Sequence, residues 1–240
     1  MSDALAFLDS QRLDWSYPEK ARETALLVAR RMAADRDALR RLVKNAAKDE
    51  RLRGLAEKHH ELNYIVLYDA LDRGLRLRLH RFMEGMEDIP HNHRFSFSSA
   101  ILKGSYVHTI YEALDAGGDT ENGVAWTLDQ PEGSHPGIDL QDKKNLVLRT
   151  LISGTQIAGS SYSMCHNTIH KVAMPDENAF SLFVRGPAMQ ECSLQFMTEN
   201  NTFRWKFGRS QESQAVVSSR VMSDAEYDEF VDVLFDENVI

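Results

Sequence analysis

The residues best suited to chemistry in this chain are its histidines, nine in all. His91 and His93 flank Asn92, and on an extended strand residues i and i+2 project from the same face, so both imidazoles can reach one ion. The H-x-H spacing alone does not single out a metal site. His59 and His60 read as a helix end, where a partial positive charge suits the helix dipole. His135 falls in a Gly/Pro loop. Imidazole suits Fe(II), Zn, Ni, Cu or Mn, so histidines by themselves do not choose among these metals.

The flanking residues add to this. Gly85 is followed by five residues and then His91, and His93 is followed by three residues, Phe97, six residues and Gly104. Further on, Gly159 is followed by five residues, then Cys165, His166, Asn167, two residues and His170. This pattern resembles the cupin superfamily, whose first motif runs G-x5-H-x-H-x3–4-E-x6-G and whose second runs G-x5-P-x-G-x2-H-x3-N. The resemblance covers roughly Leu75 to Pro187. It departs at the glutamate ligand, replaced by Phe97 with Ser98 beside it, and at Cys165, Asn167 and Met174, which stand for proline, glycine and asparagine. The ligand set it implies is therefore His91, His93 and His170. His166 is the alternative third ligand, ranked second because His170 falls on the motif's histidine.

Three-histidine ligation is similar to that of the cysteine dioxygenase-like (thiol dioxygenase) branch of the cupins. The resemblance implies a small double-stranded β-helix with Fe(II) inside. Three neutral ligands leave both charges of a divalent ion uncompensated, a site that favours a thiolate or carboxylate and keeps positions open for dioxygen. The branch's Ser-x-His-x-Tyr run corresponds here to Ser181-Leu182-Phe183-Val184-Arg185: the serine matches, the histidine and tyrosine do not. With no tyrosine at 185, and Ser98 at the cysteine position, a cysteine–tyrosine crosslink cannot form. Arg185 is a candidate to grip a carboxylate bidentately, and Ser181 a further substrate contact. His108 and Tyr106 share a face past Gly104 and are the candidate catalytic acid–base or hydrogen-bonding groups. Tyr162 is similarly placed as a substrate-binding residue; Arg81 and Arg149 are more remote candidates, and Cys165 reads as a buried barrel residue.

The elements that must position these groups change period along the chain. From Pro18 to His60 the residues are helical, with Ser16 as a cap and Pro18 in the first turn. Leu39, Leu42, Val43 and Ala46 follow the i, i+3, i+4, i+7 spacing of one buried stripe, and two or three helices are expected. Leu75, Leu77 and Leu79 alternate with Arg76, Arg78 and His80, the repeat of a half-buried strand. Further β-like runs span Phe95–Leu102, Tyr106–Tyr111, Leu146–Ile152, Ser160–Met164, Phe180–Val184 and Leu194–Met197. A long segment rich in Asp and Gly, with Trp126 in its middle, runs from Ala113 to Lys144. Ser223 and Glu226 form a capping-box pattern ahead of a Tyr227, Phe230, Val231, Leu234 stripe.

These readings give a mainly β protein: a cupin-like jelly-roll barrel over 62–208, an N-terminal helical segment over 1–61 packed on it, and a C-terminal extension with a helix over 209–240. The net charge of −8 argues against binding a nucleic-acid backbone, where neutralising phosphates drives affinity. That charge is an average over a Pro18–His60 stretch of +5 and a remainder of −13. No apolar run is long enough to cross a bilayer, and Asp3, Asp9, Arg12 and Asp14 interrupt the place of a signal peptide's apolar stretch. Two cysteines, Cys165 and Cys192, supply no disulfide framework. The expected setting is cytoplasmic, the expected partners a small-molecule substrate and dioxygen, without nucleic acid or membrane, and a homodimer is compatible with the helical extensions. The expected function is an Fe(II) oxygenase or dioxygenase acting on a small polar, anionic molecule such as a thiol or an amino or carboxylic acid. The alternatives are a non-redox lyase, isomerase or hydrolase using Zn, Ni or Mn, and a non-catalytic ligand-binding barrel whose basic helices meet a partner.

Overall fold

The Leu75–Phe82 alternation sets the architecture, because its two faces are both buried, against different things. The structure is a computed structural model describing residues 2–115, 125–128 and 145–240. Four helices come first: α1 (Ser2–Ser10), α2 (Pro18–Ala34), α3 (Arg36–Ala46) and α4 (Glu50–Arg53). Strands follow as β1 (Glu57–Lys58), β2 (Leu62–Ala70), β3 (Leu75–Phe82), β4 (Phe97–Lys103), β5 (Ser105–Asp115) and β6 (Ala125–Leu128). The series continues with β7 (Asn145–Ile157), β8 (Ser161–Met164), β9 (Ile169–Ala173), β10 (Phe180–Arg185), β11 (Cys192–Met197) and β12 (Thr202–Phe207), then α5 (Gln214–Arg220) and α6 (Asp224–Asp236).

The strands form two six-stranded sheets, ordered β1-β2-β3-β10-β4-β8 and β11-β12-β6-β7-β5-β9. Every pairing is antiparallel except β6 with β12. This is a double-stranded β-helix, a jelly-roll barrel with N-terminal helices and a C-terminal helix. Leu75, Leu77 and Leu79 join Leu182 and Val184 in the largest core cluster, together with Ala25, Val28 and Met32 of α2, the Leu39, Leu42 and Val43 stripe of α3, and Tyr227, Phe230 and Leu234 of α6. The apolar face of β3 therefore looks outward onto helices, and its polar face, with Arg76, Arg78 and His80, looks inward onto a cavity between the sheets. A second cluster of Leu194, Phe196, Phe203 and Trp205 packs the other sheet.

The helical segment has three helices between Pro18 and His60, plus α1, which its short length kept out of the sequence reading. Tyr17, not Ser16, is the N-cap of α2, with Pro18 in the first turn. Ser16 instead bonds the Asp14 carboxylate through its backbone N–H at 3.0 Å and through its hydroxyl. His59 and His60 are not at a helix end. They lie in the turn between β1 and β2, where the His59 N–H donates to the Leu62 carbonyl at 3.0 Å. The capping box at the start of α6 is present, and Ser223 and Glu226 bond reciprocally. Trp15 pins the helices to the barrel: its indole donates to the Gly74 carbonyl at 2.7 Å and lies so close to Gly186 that a Cβ there would come within 2.4 Å of the ring. His135 and most of the Ala113–Lys144 segment (116–124 and 129–144) lie outside the described residues. Among the described residues no helix is long and apolar enough to cross a membrane.

Candidate metal centre

The two histidines of the H-x-H run arrive on a backbone stitched at every residue. His91 N–H donates to the His170 carbonyl and His170 N–H to the His91 carbonyl, both at 2.9 Å. Asn92, buried between them, donates its N–H to the Leu194 carbonyl at 3.0 Å, and its side-chain oxygen accepts from Leu194 N–H at 2.6 Å. His93 N–H donates to the His166 carbonyl at 3.0 Å. The segment is thus an irregular bridge rather than the regular strand the i, i+2 reading assumed, yet it delivers both rings to one side.

Three imidazoles converge there. Ring centroids lie 4.8 Å apart for His91–His93, 4.8 Å for His91–His170 and 5.0 Å for His93–His170. One nitrogen from each falls within 4.8 Å of the others. Hydrogen bonds fix which nitrogens face inward. His91 Nδ1 is 2.9 Å from the Ile89 carbonyl and 3.2 Å from an Asp88 carboxylate oxygen, which leaves Nε2 to the centre. His170 Nδ1 meets His108 Nε2 at 2.9 Å, and its own Nε2 lies 2.9 Å from His93 Nε2. Burial holds His93 and His170 well below the ordinary imidazole pKa, reinforced by the neighbouring histidines, so both are neutral at pH 7. Neutral imidazoles suit a divalent first-row metal, and the outer nitrogens of His91 and His170 are partnered as such ligands require. Phe97 occupies the glutamate's motif position and packs edge-on to His93 at 4.8 Å between ring centroids.

The other candidates take distinct places. His166 lies outside the triple; its Nδ1 is 3.4 Å from Ser96 Oγ and 3.7 Å from Cys165 Sγ. His108 stands behind His170 instead of lining the cavity, so it orients the His170 ring. The Tyr106 hydroxyl, deeper in the barrel, lies 3.0 Å from that of Tyr162, whose ring packs on His108 at 4.5 Å and faces the cavity. Ser181 and Arg185 both line the cavity, and Arg185 is only 7% exposed, on a central strand. Burial holds its guanidinium pKa below the ordinary value, reinforced by Arg78, Arg76 and Arg94. Arg81 and Arg149 point elsewhere, to Asn178 and Glu112 respectively. The sequence reading missed Arg78 and His80 as site residues, although their alternation with leucine was visible, because alternation does not say which face meets a cavity.

The cavity measures about 870 Å³ and extends from the three histidines past Phe95, Phe97 and Phe183 to a mouth at Glu57, Arg209 and Arg220. No family model and no curated protein matches the chain. Among solved structures it is similar to an RmlC-like cupin from Shewanella frigidimarina, at 15% identity and a TM-score of 0.35 over 56% of this chain and 84% of that one. It is also similar to KdgF from Halomonas sp., at 13% identity and a TM-score of 0.33 over 55% and 86%. The polyketide cyclase RemF from Streptomyces resistomycificus matches at 13% identity and a TM-score of 0.37 over 61% and 82%. Structures with a cupin-like fold are thus among those similar to the chain, which within its own barrel holds a three-histidine cluster able to take a metal ion.

Proposed function

We propose that this protein is a metal-dependent oxygenase of the three-histidine type, with Fe(II) as its metal and a small anionic molecule as its substrate, working in the cytoplasm. The observation that carries the reading is the convergence of three imidazoles, with no carboxylate in the cluster among the described residues, at the bottom of a cavity that is also lined by a buried arginine. His91, His93 and His170 would hold the metal. When bound, Fe(II) supplies Lewis acidity and one-electron chemistry toward dioxygen.

The chain's own residues do the rest. His108 keeps the His170 ring in the tautomer that presents Nε2 inward. Arg185 supplies its two terminal guanidinium nitrogens for a substrate carboxylate, since its Nε is engaged with the Gly186 carbonyl at 2.9 Å. The Tyr162 hydroxyl, fixed by Tyr106, offers a hydrogen bond at the cavity wall. Phe95, Phe97 and Phe183 line the same space and exclude water from it.

Metal analysis of protein purified without added metal, followed by oxygen uptake with a panel of thiols, amino acids and 1,3-dicarbonyls, tests the reading. Stoichiometric iron and substrate-dependent uptake are expected. Stoichiometric zinc, with no uptake after iron loading, would move the function to Lewis-acid chemistry such as a lyase, isomerase or hydrolase reaction.

A further inference from the structure

Away from the histidines, the cavity wall formed by β3 and β10 holds polar atoms that nothing among the described residues satisfies. Arg78 Nε, His80 Nε2 and Ser181 Oγ are buried without a hydrogen-bond partner. His80 is 6% exposed and Ser181 fully buried. The strand register gathers them, since Ser181 pairs with His80 and Phe183 with Arg78, and Arg185 follows one pleat further along the same face. Neither Arg78 nor Arg185 forms an ion pair among the described residues. The carboxylates whose charge reaches Arg78 are engaged elsewhere: Glu57 by His59, Arg209 and Arg220, and Asp69 by Arg51 and Arg76. Phe95 lies between the two guanidinium groups, 3.7 Å from Arg185 and 6.0 Å from Arg78, centroid to carbon. A guanidinium stacked flat on a ring leaves its edge free for an oxyanion in its own plane.

Unpaired cations and an orphaned serine and imidazole, side by side in one patch, are costly unless a ligand meets them. We infer that Arg78, His80, Ser181 and Arg185 form a second ligand subsite that takes a carboxylate, and that the substrate is two-headed, with one anionic end at the histidines and the other here. A flat apolar middle suits the space between, because rings pave it: His93 to Phe97 at 4.8 Å, Phe97 to Phe183 at 4.5 Å and Phe183 to His80 at 4.5 Å between centroids. The substrate class is therefore an aryl or short-chain dianion. Its first head rests on the metal reading above; the carboxylate subsite does not.

Ligand titrations on the full-length protein, read by calorimetry or by ligand-observed NMR, separate the two. Metal-free wild-type protein should bind benzoate at least about tenfold more tightly than the isosteric, neutral benzamide. Arg78→Lys and Arg185→Gln, each checked for native circular dichroism, should lose that preference, whereas His170→Ala should keep it. Equal binding of benzoate and benzamide by the wild type overturns the subsite, and this comparison needs no variant to fold. With zinc bound stoichiometrically, terephthalate should gain at least about tenfold over benzoate, and no gain overturns the two-headed substrate. Failure to bind zinc overturns the metal reading and the two-headed substrate together, while the benzoate preference still decides the subsite.

Discussion

At the histidine end of the cavity the outer nitrogens of His91 and His170 answer to other atoms of the protein; at the arginine end several polar atoms answer to none among the described residues. His91 is held by Ile89 and Asp88, His170 by His108, and the backbones of His91 and His170 by each other. Across the barrel Arg78, His80 and Ser181 each keep a buried atom without a partner. Both ends are polar and both are buried, so burial alone does not distinguish them. The difference lies in what completes them. A metal centre needs ligands fixed before the ion arrives, so the protein supplies the outer partners itself. A binding surface for a larger molecule leaves its hydrogen bonds open for that molecule to fill.

Changing a ligand at the complete end has the largest effect. His170→Ala, like His91→Ala and His93→Ala, abolishes stoichiometric metal by elemental analysis, whereas His166→Ala retains it; metal surviving in the His170 variant would transfer the ligand role. One shell outward, His108→Phe leaves all three ligands but lowers metal affinity roughly 10–100-fold in a chelator competition, and His108→Gln, which keeps an acceptor for the His170 Nδ1–H, recovers part of it.

The arginine end is guarded at its mouth by Glu57. Burial pushes this carboxyl up, but hydrogen bonds from His59 and Tyr64 and the charges of His59 and Arg220 hold it down to about 2 against an ordinary 4.5. Because the folded carboxyl titrates lower than the unfolded one, its contribution is present above pH 4.5 and fades as pH falls toward 2. With solvent screening at Arg209, that contribution is about 2 kcal/mol. Melting temperatures from pH 6 to 2.5 should show it, and Glu57→Gln should flatten that stretch of the curve. The smallest effect has the opposite sign. His80→Phe removes an orphaned imidazole while keeping a ring stacked on Phe183, raising the metal-free protein's stability by about 1 kcal/mol in urea. A loss there would mean that His80 is partnered after all and that the two ends are alike.

Much of the histidine end was legible in the sequence because the barrel's turns dictate spacing. Gly104, separated from Phe97 by six residues, sits at φ +71° with Ala179 only 3.0 Å from where a Cβ would stand, so the motif's glycine is a requirement of the backbone. His108 was legible as a face-sharing partner of Tyr106, but its contact with His170 was not. That contact needs the β5–β9 register, which pairs His108 with Val172 and so brings His170 diagonally within reach. The arginine end was hidden for a different reason. In Arg76-Leu77-Arg78-Leu79-His80 the polar face reads as the solvated one unless helices claim the leucines, and α2 and α3 lie too far away in sequence for periodicity to reveal it. Phe183 was noticed only as a departure from a known run, and Arg185 both as a departure and as a carboxylate candidate; the structure places them together on one wall of the cavity.

Trp15 ties that wall together from behind. Its indole bonds to Gly74, just before β3, and presses on Gly186, just after β10, so one side chain of the helical segment brackets both strands that carry the arginines. The β3–β10 ladder sets the spacing of Arg78 and Arg185, and Trp15, which is not among the residues lining the cavity, seats that pair of strands against the helices. Selection for a longer or shorter ligand need not touch the pocket: substitutions around residues 13–16 would act on the arginine wall as one unit, from behind, while the histidines, stitched to the opposite sheet, keep their positions.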